Sequence, residues 1–151
     1  MRLSVARRVA LLASVVLASL PNVGTATARR IVPNPVLVFT GQEPFTAGGK
    51  QFTRYNFAVF NRADYPAELF AAAPDLPPCG ANTKASRTWV DIYDQSGKRL
   101  YGFCAFGSPN DLGNVWFALE SGVLPPSWVY VELTDRKTNT KYKSNLAETT
   151  L

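Results

Sequence analysis

Residues 88–104 read TWVDIYDQSGKRLYGFC, and their pattern decides the fold. From Thr88 to Asp94 apolar and polar side chains alternate, with Val90 and Ile92 on one face and Trp89, Asp91 and Tyr93 on the other. A period of two is the signature of a strand with one buried face. Asp94-Gln95-Ser96-Gly97 then interrupts it with turn chemistry. The Asp side chain can cap the turn, and glycine accepts a left-handed backbone. Alternation resumes at Arg99, so the stretch predicts an antiparallel hairpin.

The same period recurs along the chain. Strands are expected at 36–40, 51–60, 88–94, 99–106, 114–120, 128–134 and 140–146. A second hairpin is expected at Asp135-Arg136-Lys137-Thr138-Asn139, with Asn139 in the left-handed position that asparagine tolerates. No window carries a helical stripe; residues 67–73 allow one or two turns at most. About seven short strands separated by Gly, Pro, Asn and Asp predict an all-β antiparallel sandwich.

Residues 1–28 are set apart. Arg2, Arg7 and Arg8 precede an unbroken apolar and small run from Val9 to Leu20, and Ala26-Thr27-Ala28 fits a small-x-small cleavage site. This reads as a signal peptide cleaved near Ala28, its apolar run too short to span a bilayer comfortably, in preference to an uncleaved anchor helix. The mature chain, 29–151, is then one domain, periplasmic or extracellular, without a membrane span. The whole chain carries 16 basic and 11 acidic residues, net +5. Three of the arginines lie in 1–28 and no acid does, so the remainder holds 13 against 11, net +2. The basicity belongs mostly to the signal and gives no argument for nucleic acid. Arg136, Lys137, Lys141 and Lys143 form the one remaining basic cluster, read as a solvated turn.

Two cysteines in an exported chain most simply pair as Cys79–Cys104. Closing a loop of about 26 residues stabilises by about 3.5 kcal/mol in the chain-entropy picture. Cys79 sits in PDLPPCGANT, 74–83, a Pro-rich run that reads either as a stapled crossover between sheets or as a rigid inhibitory loop carrying Pro77, Pro78 and Asn82.

Leu124-Pro125-Pro126-Ser127-Trp128-Val129-Tyr130-Val131 resembles the corner before the sixth strand of immunoglobulin-like and fibronectin type III-like domains, where Leu and Pro precede a strand bearing Tyr. The resemblance covers about a third of the mature chain and implies that sandwich type, with no functional residue carried over. Tyr65-Pro66 onward through CGANTKASRTWVDIYDQSGKRLYGFC is similar to small exported bacterial proteins of uncharacterised function; the similarity implies export and fold, and no activity.

Catalysis finds little support. The chain has no histidine, which excludes Ser–His and Cys–His arrangements. Ser86 near Lys84 and Ser96 near Lys98 read as turn neighbours. Asp91, Asp111 and Glu120 are carboxylates that nothing in the sequence pairs. Calcium at Asp94 or at Asn110-Asp111 competes with an ordinary turn role, and neither a metal site nor a cofactor is expected. The binding candidates are aromatic. Trp89, Asp91 and Tyr93, Trp128, Tyr130 and Glu132, and Trp116 all fall opposite aliphatic series, and Tyr101 and Phe103 fall opposite Leu100 and Cys104. These rings are expected to face outward as a platform for a glycan or protein ligand, or else to lie under the long 61–86 connection. The expectation is therefore a non-catalytic binding or envelope-associated module, with a protease inhibitor and a carbohydrate binder as alternatives.

Overall fold

A computed structural model describes residues 31–79, 86–104 and 107–150. The signal-peptide reading of 1–28, and Asn82 and Lys84, lie outside the described residues.

Two antiparallel sheets pack face to face. Strands β1 (Leu37–Ala47), β2 (Lys50–Val59) and β5 (Val115–Glu120) form one, in the order β1-β2-β5. Strands β3 (Thr88–Asp94), β4 (Arg99–Cys104), β6 (Trp128–Asp135) and β7 (Thr140–Lys143) form the other, in the order β4-β3-β6-β7. A two-residue strand, β8 (Ala147–Glu148), pairs with the start of β6. The described helical turns are short 3-10 segments: Arg62–Asp64, Ala67–Leu69 and Pro109–Gly113.

The apolar alternation becomes the inter-sheet core. Val90 and Ile92 of β3, and Val129, Val131 and Leu133 of β6, meet Tyr55, Phe57 and Val59 of β2 and Val115 and Phe117 of β5; all are buried. Tyr55 and Phe57 both stack nearly parallel on Phe117. The β2–β3 connection adds Tyr65, Leu69 and Phe70 to this core, so it is a packed crossover. Tyr65 donates its hydroxyl to the Pro33 carbonyl at 2.9 Å.

Both expected turns form. Asp94 Oδ1 accepts hydrogen bonds from Ser96 N, Ser96 Oγ and Lys98 N, and Gly97 takes φ 87°. Asn139, at φ 56°, is the one non-glycine with positive φ among the described residues.

The first strand departs from expectation. Its alternation reads only to Thr40, yet β1 runs to Ala47. The register shifts between Phe39 and Gly41. Before this bulge, Leu37 and Phe39 share the inner side with Val59 and Phe57; beyond it, Glu43 and Phe45 pair with Arg54 and Phe52 on the outer side. A bulge inserts one residue and inverts side-chain parity, which breaks the period. Pro44 is tolerated because β1 is an edge strand. Gly48 and Gly49, at φ 55° and 74°, close the β1–β2 hairpin. At the other end, the expected strand 140–146 stops at Lys143. Ser144 Oγ accepts from Val131 N, a side chain standing where the ladder would continue.

The disulfide joins Cys79 to Cys104, with Cα atoms 5.8 Å apart. It ties the crossover to β4.

Candidate functional site

The register gathers most of the aromatic candidates on the outer face of the β4-β3-β6-β7 sheet. Trp89 lies opposite Thr134, Asp91 opposite Glu132, and Tyr93 opposite Tyr130; Trp128 continues the same face of β6. Two carboxylates thus stand side by side at Asp91 and Glu132, a repulsive pair unless cations flank it. They do. Arg99 Nε donates to Asp91 Oδ1 at 2.6 Å, and Lys141 Nζ to Glu132 Oε1 at 2.7 Å. The Arg99 guanidinium also lies 5.7 Å from the centre of the Trp89 ring. Tyr93 stacks on Tyr130 at 5.2 Å and 19°, and Lys143 Nζ sits 3.9 Å above the Tyr130 ring. Burial pushes the Tyr93 phenol up, and the Asp91 and Glu132 charges add to it. This face spends its charges and rings on one another. Its one exposed ring is Trp128.

The expected basic cluster disperses. Lys141 and Lys143 serve the aromatic face, and Lys137 pairs with Asp75 at 3.5 Å. Arg136 turns to the Pro-rich segment, donating to the carbonyls of Pro77 and Ser86 and to Cys79 Sγ. Pro77 and Pro78 are exposed beside the buried Cys79.

Tyr101 and Phe103 are placed differently from the sequence expectation. Tyr101 pairs with Ile92 and Phe103 with Val90, so both lie on the inner side of β4 rather than with the outward rings. The cause is a register shift between Ile92 and Tyr93, which moves Leu100 out of phase with the rest of β4. Because β4 is an edge strand, its inner side opens at the seam between the sheets. Across that seam stands the other free edge, β5. Trp116 is therefore separated from the other two tryptophans: it pairs with Asn56 on the outer side of the three-stranded sheet. There the Arg54 guanidinium lies 5.2 Å from its ring centre, and Arg54 in turn pairs with Glu43 at 2.6 Å.

Trp116 reaches Tyr101 at 5.6 Å between ring centres and 21° between planes. Tyr101 adjoins Phe103 at 6.3 Å and 31°. The three rings form a ladder across the seam, Tyr101 stacked on Trp116 and tilted against Phe103. Beside it is a pocket of about 350 Å³, lined by Tyr101, Phe103, Asp111, Asn114 and Trp116. That volume is at the lower end of small-molecule sites, roughly 300–1,000 Å³.

The polar wall comes from the 3-10 turn Pro109–Gly113. Ser108 Oγ accepts from Asn110 N, and Asp111 Oδ2 accepts from Ser108 N at 3.3 Å, a reciprocal capping box. This fixes the Asp111 carboxylate by one oxygen; among the described residues the other accepts no hydrogen bond. The Asn114 amide and the Tyr101 hydroxyl likewise make none. Leu112, fully buried, anchors the turn in the core. The sequence offers Asp111 as an unpaired carboxylate or, with Asn110, a calcium ligand, and Asn114 as the start of the strand 114–120, and no local signal joins either to Tyr101. Their meeting is a product of two edges brought together by topology.

The remaining carboxylate candidate, Glu120, pairs with Lys50 at 2.7 Å. Ser96 Oγ is committed to Asp94. Among the described residues no three metal-ligating side chains gather. Against family models, curated proteins and solved structures, the chain matches none.

Proposed function

We propose that this protein is an exported, non-catalytic binding domain of immunoglobulin-like or fibronectin type III-like type, and that the pocket at the β4–β5 seam is its ligand contact. The observation that carries the reading is the juxtaposition of three rings in a row with polar atoms that make no hydrogen bond among the described residues. The outer aromatic face lacks that property, since its charged groups are paired. The arrangement of a three-stranded and a five-stranded antiparallel sheet, with a crossover between them, supports the sandwich type. The absence of histidine from the chain, and the pairing of Asp91, Glu120 and Glu132 with cations, supports a role without catalysis.

The test is sedimentation of the protein, purified from bacteria expressing the full chain, with isolated bacterial envelope. Retention of wild type and its loss in Tyr101→Ala are expected. Equal retention of both would remove the pocket from the function.

The pinning of Pro77 and Cys79 by Arg136 and by the disulfide supports a second reading, an inhibitory loop at 74–84. Serine proteases slowed by wild type and not by Pro77→Ala with Pro78→Ala would favour it. A protein that slows none of them ends it.

A further inference from the structure

We infer that the seam pocket takes a pyranose ring of a neutral glycan. The inference rests on the pocket being the ligand contact and adds the chemical class. A pyranose is a disc with C–H bonds on its faces and hydroxyls on its rim. Its faces suit aromatic rings, whose π faces are electron-rich and attract polarised C–H groups. The rim suits Asp111 and Asn114. The free oxygen of Asp111 only accepts, whereas the Asn114 amide both donates and accepts. A hydroxyl does both, so adjacent hydroxyls satisfy the pair.

Other classes fit less well. A purely apolar ligand would strip water from the Asp111 carboxylate and the Asn114 amide without replacing their hydrogen bonds, which is costly. An anionic ligand meets the Asp111 charge; of the guanidinium groups beside the site, Arg54 is engaged with Glu43 and the Trp116 face, and Arg62, packed against Gly113, donates to the Val59 carbonyl. A quaternary ammonium needs ring faces that converge on it. Here Tyr101 stacks on Trp116 at 21° and is tilted 31° from Phe103, so the rings follow one another in a row and do not converge on a common centre.

The experiment titrates the protein, purified as above, with cellotriose, maltotriose and chitotriose up to about 10 mM, with choline and adenosine as cationic and planar controls. The Trp116 indole N–H and the Asn114 side-chain amide are followed by NMR. At least one trisaccharide is expected to shift both resonances, with affinity weakened at least about tenfold in Tyr101→Ala. Asn114→Ala, at an exposed side chain with no hydrogen bond among the described residues, gives a second variant should Tyr101→Ala unfold, and the same direction is expected. Trp89→Phe, on the other face, leaves the affinity unchanged. Shifts confined to Trp89 or Trp128 overturn the inference. So does silence from all three trisaccharides. If choline or adenosine alone shifts the pocket resonances, the glycan class fails and the pocket remains a ligand contact; envelope sedimentation judges the pocket separately.

Discussion

Arg136 donates from Nη2 to the carbonyl of Pro77 at 2.6 Å, so the β6–β7 turn grips the same segment that the Cys79–Cys104 bond ties to β4. The backbone of Arg136 also donates to the Arg87 carbonyl at 2.8 Å. The crossover is thus held at its Pro-rich bend and at its exit. Replacing both cysteines by serine is expected to destabilise the protein by about 3.5 kcal/mol, through the loop entropy returned to the unfolded chain. Arg136→Ala is expected to cost about 1–3 kcal/mol from lost charge-assisted hydrogen bonds. The two losses fall on one segment and should not add. Chemical denaturation of the single and combined variants measures this; an unchanged midpoint on reduction would remove the structural role of the bond.

Acid stability should be governed partly by Asp135. Its carboxylate is buried and accepts two hydrogen bonds from Arg87, at 2.8 and 2.7 Å, and others from Thr138 Oγ1 and Lys137 N. The Arg87 hydrogen bonds, more than any other contact, hold it down at about 2, below the ordinary value of 3.8. A group with a depressed folded pKa stabilises above its unfolded pKa, and that contribution is lost as pH falls through the folded one. The window is therefore about pH 4 down to 2. Asp135→Asn is expected to lower stability near neutrality by about 2 kcal/mol and to flatten the acid limb in that window. A variant with the wild-type acid profile contradicts the assignment.

The crossover should also matter through its core residues. Phe70 is fully buried and meets Tyr65 edge-on at 6.3 Å. Phe70→Ala is expected to cost about 3–5 kcal/mol, as for other buried aromatic truncations. That corresponds to a fall in Tm of roughly 10 °C or more for a domain of this size. A connection that merely lay on the surface would tolerate the change, and a shift of a degree or two would show that it does.

How much of this was legible follows from how local each cause is. Strand positions and both turns were readable because Val90, Ile92, Val129 and Val131 alternate within a few residues of Asp94, Gly97 and Asn139, and period and turn chemistry act at short range. The Cys79–Cys104 pairing was readable because it was the one intramolecular choice. The far half of β1 was hidden by the bulge at Gly41, which inverts parity in mid-strand. The seam pocket was hidden for a different reason. Tyr101 and Trp116 belong to different sheets, and each strand is an edge whose neighbour across the seam is set by topology. Trp116 looked equivalent to Trp89 and Trp128 on alternation alone; only its sheet distinguishes it.

Gly102 offers a probe of the outer face. A Cβ built there would fall on the guanidinium of Arg99 and the carboxylate of Asp91, so the ion pair occupies space that any side chain would need. In Gly102→Ala the exposed guanidinium of Arg99 must swing away and the Asp91 carboxylate must turn aside, because the Cβ would overlap both side chains. The pair is half exposed on the arginine side, so its loss costs under about 1 kcal/mol. Alanine recovers a similar amount, roughly 0.5–1 kcal/mol, by restricting the unfolded chain relative to glycine. Stability is therefore expected to change little. The signature lies in Trp89, whose ring loses the cation 5.7 Å from its centre. With Trp116→Phe and Trp128→Phe in the background, only Trp89 emits. Its emission is expected to shift when Gly102→Ala is added, and to shift likewise in Arg99→Ala. Emission that ignores Gly102→Ala but follows Arg99→Ala would mean that Arg99 keeps its place and that the glycine is not what makes room for the pair.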